Sequence, residues 1–390
     1  MRKTFFILLF IISYTAFGQR EIREINLSGS GYELGLQHGK ILKKEIGEVV
    51  NKMKQNAAIN LKKDAELVLN GFYAYANFDE SINKYTPELY EEVRGIAEGS
   101  GQAFRDVMVL NLLDEFWVYV NNMNNHHCSG MGVPSLNGST SYIAQNMDIE
   151  KYTDGYQILI RLARTNARPE QLILTHPGLI ALNGMNETGI GTCVNTLMQL
   201  KASSSGLPVA FIVRRIINST DKEELLRFIQ TVSHASGQNF IIGIRGEIYD
   251  FEASANKVVR FDPKNENGTV YHTNHPIVND DVKPWFEEYN PNLNDKPLAS
   301  NSHIRLASVQ SRVSQAARLD DNLIKETLRS KDDTNNPVCR NVNSTSGGGG
   351  FTFASVIMTM TGNPSMQITA GSPDEAGYKK VGFSKRQSAE

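Results

Sequence analysis

With 390 residues, 40% of them hydrophobic and 21% charged, the chain has the material for a large buried core and the composition of an ordinary globular protein, which excludes disordered and fibrous classes. Its 40 Lys and Arg against 42 Asp and Glu give a formal net charge of −2, so there is no electrostatic basis for a nucleic-acid partner or for attraction to an anionic membrane surface.

In chain order, Arg2-Lys3, the apolar run FFILLFIISYTAF and Gly18-Gln19 match the charged, apolar and small-residue regions of a secretory signal over residues 1–19. The run is too short for a membrane span, so the mature chain is expected to be exported, periplasmic or extracellular, with no integral membrane segment once the signal is removed. Cys128, Cys193 and Cys339 remain, an odd number for an exported protein. Cys193 and Cys339 are either a disulfide or two buried thiols. Helical spacing runs from Tyr32 to Gln55 and from Pro87 to Gly101, and Asp106 is expected to cap a helix over VMVLNLLDEFWVYV. His38 on the first helix reads as a packing or surface residue.

From Cys128 onward the character changes to short β-rich runs, SYIAQNMD, YQILIRLAR, QLILTHPG, IGTCVNTL, NFIIGIRGEIYDFEA, KVVRFD and TVYHTNH, separated by Gly, Asn and Pro turns. Helical stretches interrupt them at Leu207 to Ser219, Lys222 to Ser233 and about Ser302 to Arg329. This order suits an α+β fold, an αββα sandwich of two mainly antiparallel sheets with helices on the outer faces, better than regular βαβ units. Gly347 to Gly350 lacks the lysine and following helix of a phosphate-binding loop and reads as a flexible loop.

Cys128 opens the segment CSGMGVPSLNGSTSYIAQNMD, which reads as a hairpin turning at Asn137-Gly138, a pair suited to the positive φ angles of a type I′ turn. Pairing outward from that turn sets residue 147 opposite Cys128 and brings Asp148 within about one residue of the thiol. Two designs can activate this cysteine. In one, His126, His127 or a distant histidine lowers the thiol pKa, although on a strand His127 points away from Cys128 and His126 is displaced along it. In the other, the chain cuts the peptide bond before Cys128, and the new α-amine, with an ordinary pKa of about 7.7 to 8.0, serves as base while Asp148 orients it. Asparagine amides elsewhere would then donate to the tetrahedral oxyanion. A zinc site at His126-His127-Cys128 lacks the ligand spacing such sites need.

The surrounding strings resemble the acyl-coenzyme A:6-aminopenicillanic acid acyltransferase family and its relatives the choloylglycine hydrolases (bile salt hydrolase and penicillin V acylase), which are N-terminal nucleophile hydrolases. GYELGLQHGKIL (Gly31 to Leu42), VRGIAEGSG (Val93 to Gly101) and VMVLNLLDE are similar to the acyltransferase family's propeptide-side motifs. Cys128-Ser129-Gly130 matches its nucleophile string, AQNMD (Ala144 to Asp148) its Gly-Gln-Asn-x-Asp string, and HTNHP (His272 to Pro276) its His-Thr-Asn-His string. GMNETGIG (Gly184 to Gly191) is similar to the choloylglycine hydrolase Gly-Met-Asn-Glu string. The resemblance implies Cys128 as nucleophile and cleavage site, Asp148 as the residue holding the new amine, Asn195 and Asn274 as active-site asparagines, and Arg305 in SNSHIRLAS as the late arginine, with Arg312 as its competitor. Bile salt hydrolases carry an arginine where this chain has Gln145, which favours the acyltransferase-like branch.

The reading that results is a self-processing N-terminal cysteine amidohydrolase acting on small N-acyl amides without cofactor or metal. Residues 20–127 would form a helical amino-terminal chain and 128–390 the catalytic chain, packed together as one domain. Acyl transfer to an amine, a papain-like Cys-His peptidase and a non-catalytic binding protein on the same fold are the alternatives.

Overall fold

The turn chemistry of the central hairpin positions everything around it. In the computed structural model, which describes residues 20–121, 127–289, 300–314, 316, 318–344 and 350–385, Asn137 and Gly138 both have positive φ, 51° and 79°, and Ser139 N–H donates to Leu136 O across them at 2.9 Å. The turn joins β2 (Ser129–Val133) to β3 (Tyr142–Glu150), with Ser129 opposite Asn146, the register expected from the sequence.

Before this hairpin lie β1 (Arg23–Leu27) and the helices α1 (Gly31–Ile41), α2 (Lys43–Leu61), α3 (Ala65–Tyr75), α4 (Asp79–Tyr85), α5 (Pro87–Ser100), α6 (Phe104–Leu110) and α7 (Leu113–Tyr119). After it come β4 (Ile158–Leu162), β5 (Gln171–Thr175), β6 (Asn183–Asn186), β7 (Ile190–Thr196), α8 (Val209–Asn218), α9 (Lys222–Thr231), β8 (Gln238–Ile244), β9 (Glu247–Ala253), β10 (Val258–Arg260) and β11 (Val270–His272). The chain ends with α10 (Pro284–Tyr289), α11 (Asn301–Ser314), α12 (Asp321–Leu328), β12 (Gly350–Thr359), β13 (Ser365–Ile368) and β14 (Lys379–Gly382).

The strands form two sheets, ordered β1-β4-β5-β6-β7-β8-β9-β10 and β11-β2-β3-β12-β13-β14. The pairings are antiparallel except β1 with β4, which is parallel and adds a strand from the amino-terminal segment to the larger sheet. The sheets face each other: Gln145 on β3 donates to the Val194 carbonyl on β7, and a Cβ on Gly130 would stand 3.1 Å from both Asn195 and Ile241. Helix α8 covers β6 and β7 on the outside of one sheet, while α11 and α12 cover the other. This is the expected αββα arrangement.

The amino-terminal helices share one apolar core with the larger sheet. Their glycines explain two of the motifs seen in the sequence: Gly35 of α1 and Gly95 of α5 pack backbone against backbone, and a Cβ at either position would collide with a main-chain carbonyl of the other helix. A buried Arg214–Glu92 pair, with bonds of 2.7 and 2.9 Å, ties α5 to α8.

Several expectations need correction. The first helix is two, broken at Leu42, and the sequence reading missed α3 and α4. Asp106 does not cap a helix: α6 begins earlier, after Ala103, and the Asp106 carboxylate is taken by Lys54 and Arg105, whose charges satisfy it better than a helix end would. The run from Asn239 to Ala253 is a hairpin, β8 to β9, turning at Arg245-Gly246 with φ of 49° and 108°. Of the cysteine alternatives, the structure has two separate buried thiols, and Cys339 donates to Asp374 at 3.0 Å. The expected signal at 1–19, His126 and Gly347 to Gly349 lie outside the described residues.

Candidate active site

Extending the β2–β3 register by one residue sets Cys128 opposite Met147, and their sulfur atoms are 3.6 Å apart. Asp148 N–H approaches the Cys128 Sγ at 3.4 Å, and the thiol in turn faces Asp148 O at 3.6 Å. The thiol is a protonated donor in this setting, because burial, and then the Asp148 charge, push it up to about 12.

Alternation along β3 divides the site between two faces. Gln145 and Met147 point between the sheets, while Asn146 points outward to the carbonyls of Leu328 and Val338 beside α12. Asp148 shares the outward face, opposite Thr352 of β12, and its carboxylate is fully buried. Among the described residues, neither of its oxygens has a partner at hydrogen-bond distance. Burial pushes its pKa up to about 6, against the opposing pull of Arg340, Arg305 and Thr352. The Cys128 thiol and the Asp148 carboxylate therefore lie on opposite faces of the hairpin, and the part of residue 128 that the carboxylate can serve is its main chain.

Arg305, from α11, connects the remaining residues. Its Nη1 donates to Cys128 O at 2.7 Å and Ser129 Oγ at 2.9 Å, its Nη2 to Asn274 Oδ1 at 3.0 Å and its Nε to Asn301 Oδ1 at 2.7 Å. The guanidinium is completely buried, which lowers its pKa to about 10 against the favourable charge of Asp148, and it stays a cation at neutral pH. Arg312, its competitor, lies on the same helix but pairs at the surface with Asp332.

The two asparagines come from different sheets. Asn274, just past β11, donates to Thr196 O at 3.1 Å and Asn195, on β7, to His272 O at 3.4 Å. Each amide retains a second N–H beyond that bond. The Asn195 Oδ1 is buried beside Gly130, without a hydrogen-bond partner among the described residues. Thus Arg305 links Cys128 to Asn274, the Asp148 main chain touches the Cys128 thiol, and Asn195 lies beside Gly130 and His272.

A cavity of about 60 Å³ opens at the thiol, with Met147, Leu110, Val194, Thr196 and Asp114 in its lining. Helix α7 of the amino-terminal segment supplies one wall. Asp114 accepts from Thr196 Oγ1 and Gln238 Nε2, both at 2.8 Å, Glu115 from Ser236 Oγ at 2.6 Å, and Trp117 donates to Glu150 at 2.5 Å.

Other residues of the motifs have partners away from the thiol. Asn186 caps its own turn, accepting from Thr188 and Ile190, and donates to the carbonyls of Ile217 and Ser219 at the end of α8. His38 is buried and accepts from Gly178 N–H at 3.0 Å, a neutral role consistent with burial lowering its pKa to about 3. His127 turns to Asn301 on α11, away from the thiol's face. Among the described residues no group of His, Cys, Asp and Glu is arranged to hold a metal ion. Sequence reasoning missed Ser129 as an Arg305 partner, Asp114, and Arg340, which acts on the Asp148 charge from the polar segment before β12.

The sequence profile described as "Acyl-coenzyme A:6-aminopenicillanic acid acyl-transferase" matches residues 135–375, more than half of the chain, beginning just after Cys128 and including Asp148, Asn195, Asn274 and Arg305. A relative from Emericella nidulans, an acyl-coenzyme A:6-aminopenicillanic-acid-acyltransferase 40 kDa form, is 26% identical over 269 residues, 68% of this chain and 72% of its own. The solved penicillin V acylase from Agrobacterium tumefaciens is similar over 62% of this chain and 82% of its own, at 12% identity and a TM-score of 0.34. On the extent of the profile match, this chain belongs to the acyl-coenzyme A:6-aminopenicillanic acid acyltransferase family.

Proposed function

We propose that the protein is an exported N-terminal nucleophile amidohydrolase that cuts itself between His127 and Cys128 and then cleaves linear amides of small N-acyl compounds through a thioester on Cys128. The observation that carries this reading is the placement of Arg305, which binds the Cys128 carbonyl and Asn274 together, beside a thiol and a carboxylate that address opposite sides of residue 128.

In self-cleavage, Cys128 Sγ attacks the His127 carbonyl carbon, the thiol proton passes to the amide nitrogen, and the C–N bond breaks to leave a thioester and a free α-amine. Water then hydrolyses that thioester, giving the His127 carboxylate and restoring the thiol. The new amine, ordinarily with a pKa of about 7.7 to 8.0, supplies a base the intact chain lacks. Asp148, on the outward face, orients it in this reading. In turnover the amine accepts the thiol proton, Sγ adds to the substrate carbonyl, and amide N–H groups of Asn195 and Asn274 stabilise the oxyanion. The proton is then delivered to the leaving amine as the carbon–nitrogen bond breaks. Water completes hydrolysis.

The acyltransferase relative favours a second outcome from the same thioester, capture by an amine in place of water. Competition between water and added amines, read as free acid against new amide, separates the two outcomes. The sequence at 1–19 supports export.

The decisive experiment is intact-mass analysis, under denaturing conditions, of the chain lacking its first nineteen residues, beside its Cys128→Ala variant. Two fragments meeting at His127/Cys128 in the wild type alone are expected. A single mass in both would sink the self-processing mechanism.

A further inference from the structure

The first turn of α11 does more than carry Arg305. Asn301 Oδ1, which accepts from Arg305 Nε at 2.7 Å, also lies 3.2 Å from His127 Nδ1. On its other side, Asn301 Nδ2 donates to Asn336 Oδ1 at 3.1 Å, and Asn336 Nδ2 donates to Asp333 Oδ1 at 3.2 Å. Asp333 also accepts the main-chain N–H groups of Asn335 and Asn336, at 2.9 and 2.8 Å, which fixes it in place.

The ends of this relay set its direction. A guanidinium can only donate and an ionised carboxylate can only accept, so each asparagine between them has one orientation that satisfies both neighbours. Asn301 must turn its oxygen toward Arg305 and His127. The His127 nitrogen facing that oxygen must then carry hydrogen, so the neutral ring is the Nδ1–H tautomer. One oxygen atom therefore holds the side chain of the residue that supplies the scissile carbonyl and, through Arg305, the carbonyl of the residue that supplies the nucleophile. Both flanks of the His127–Cys128 bond are referenced to the same point.

We propose that Asn301 is a positioning residue for self-cleavage: by binding the His127 ring and the Arg305 guanidinium at once, it holds the two sides of the scissile bond in the relative orientation that attack by Cys128 requires. The inference rests on the self-processing reading. Its energetic basis is alignment, in which small displacements of reacting groups cost up to about 10²-fold in rate. His127 itself enters as the handle that Asn301 grips, since its ring lies on the opposite side of the junction from the thiol.

The test is a time course of fragment formation by intact mass for freshly synthesised wild type, Asn301→Ala, Asn301→Asp, His127→Ala and the Asn301→Ala/His127→Ala double variant. Melting curves of each change in a Cys128→Ala background separate loss of fold from loss of alignment. Asn301→Ala should process at least about 10-fold more slowly. Asn301→Asp, which keeps an oxygen acceptor toward Arg305 and His127 but loses the donor to Asn336, should process faster than Asn301→Ala. His127→Ala should also be slow, and the double variant should be little slower than Asn301→Ala alone, because both act through one contact. Processing of Asn301→Ala at the wild-type rate, or strictly additive losses in the double variant, would overturn the role. A wild type that remains intact removes self-cleavage and this role together, whereas a wild type cut no faster than Asn301→Ala removes only the role of Asn301.

Discussion

Arg305 reaches 177 positions back along the chain to donate, at 2.7 Å, to the main-chain carbonyl of Cys128. The contact is completely buried and the same fork holds Asn274, so one side chain sets the spacing between the strand that follows Cys128 and the asparagine that follows β11. Arg305→Ala should lower processing and turnover by about 10² or more, through misalignment and the loss of hydrogen bonds to a charged group. Arg305→Lys should restore little, because an ammonium cannot reproduce the fork. Arg312→Ala, at a surface pair, should change stability by no more than about 1 kcal/mol and leave rates unaltered. Equal kinetic effects at the two positions would contradict the assignment of Arg305.

The asparagines make a kinetic prediction. If Asn195 and Asn274 donate to the oxyanion, replacing either by Ala should lower kcat by about 10² to 10³ with little change in KM. An effect confined to KM at either position would make that residue a substrate-binding group.

Asp148 predicts a pH dependence. Its ordinary pKa of 3.8 is raised to about 6 by burial, so ionising it opposes folding. The stability this group contributes is present below pH 4 and is lost as pH rises through 6, by on the order of 3 kcal/mol. In a Cys128→Ala chain, which cannot acquire the amine, denaturation midpoints between pH 4 and 7 should fall more steeply with Asp148 than with Asp148→Asn. Parallel curves would show that the carboxylate is not destabilised in the intact chain.

The buried Arg214–Glu92 pair fastens α5 to α8. Glu92→Ala leaves a guanidinium buried without its counter-charge and should cost about 3 to 5 kcal/mol. Glu92→Met with Arg214→Met removes both charges and should recover much of that loss. A double variant as unstable as Glu92→Ala would place the effect in packing instead.

The hairpin that joins Cys128 to Asp148 was legible because its information is local. Asn137-Gly138 fixes the turn, the turn fixes the register, and the register brings residues 128 and 148 together. The β8–β9 turn escaped notice because Arg245 adopts a positive φ, a conformation the residue type does not announce. Asp106 reads as a cap in isolation, and only folding reveals that Lys54 stands beside it. The choice of Arg305 over Arg312 needed the third dimension, since both fit the helical spacing of α11 and only one faces the hairpin. Arg340 and Asn336 lie in a polar stretch without periodicity, so no pattern in the sequence signals that they line up behind the site.

The parallel strand β1 has a consequence for the order of events in the life of the molecule. Because it is threaded onto β4 while its following helices share the apolar core, a chain severed at 127/128 would remain one body with two covalent parts. Before the cut, refolding is a first-order search by a single polymer. After it, the same architecture could be regained only by an encounter between two polymers, at a rate that falls with dilution. The cut would convert an ordinary folding equilibrium into a kinetic trap, in which the cleaved protein persists because it was assembled while still one chain.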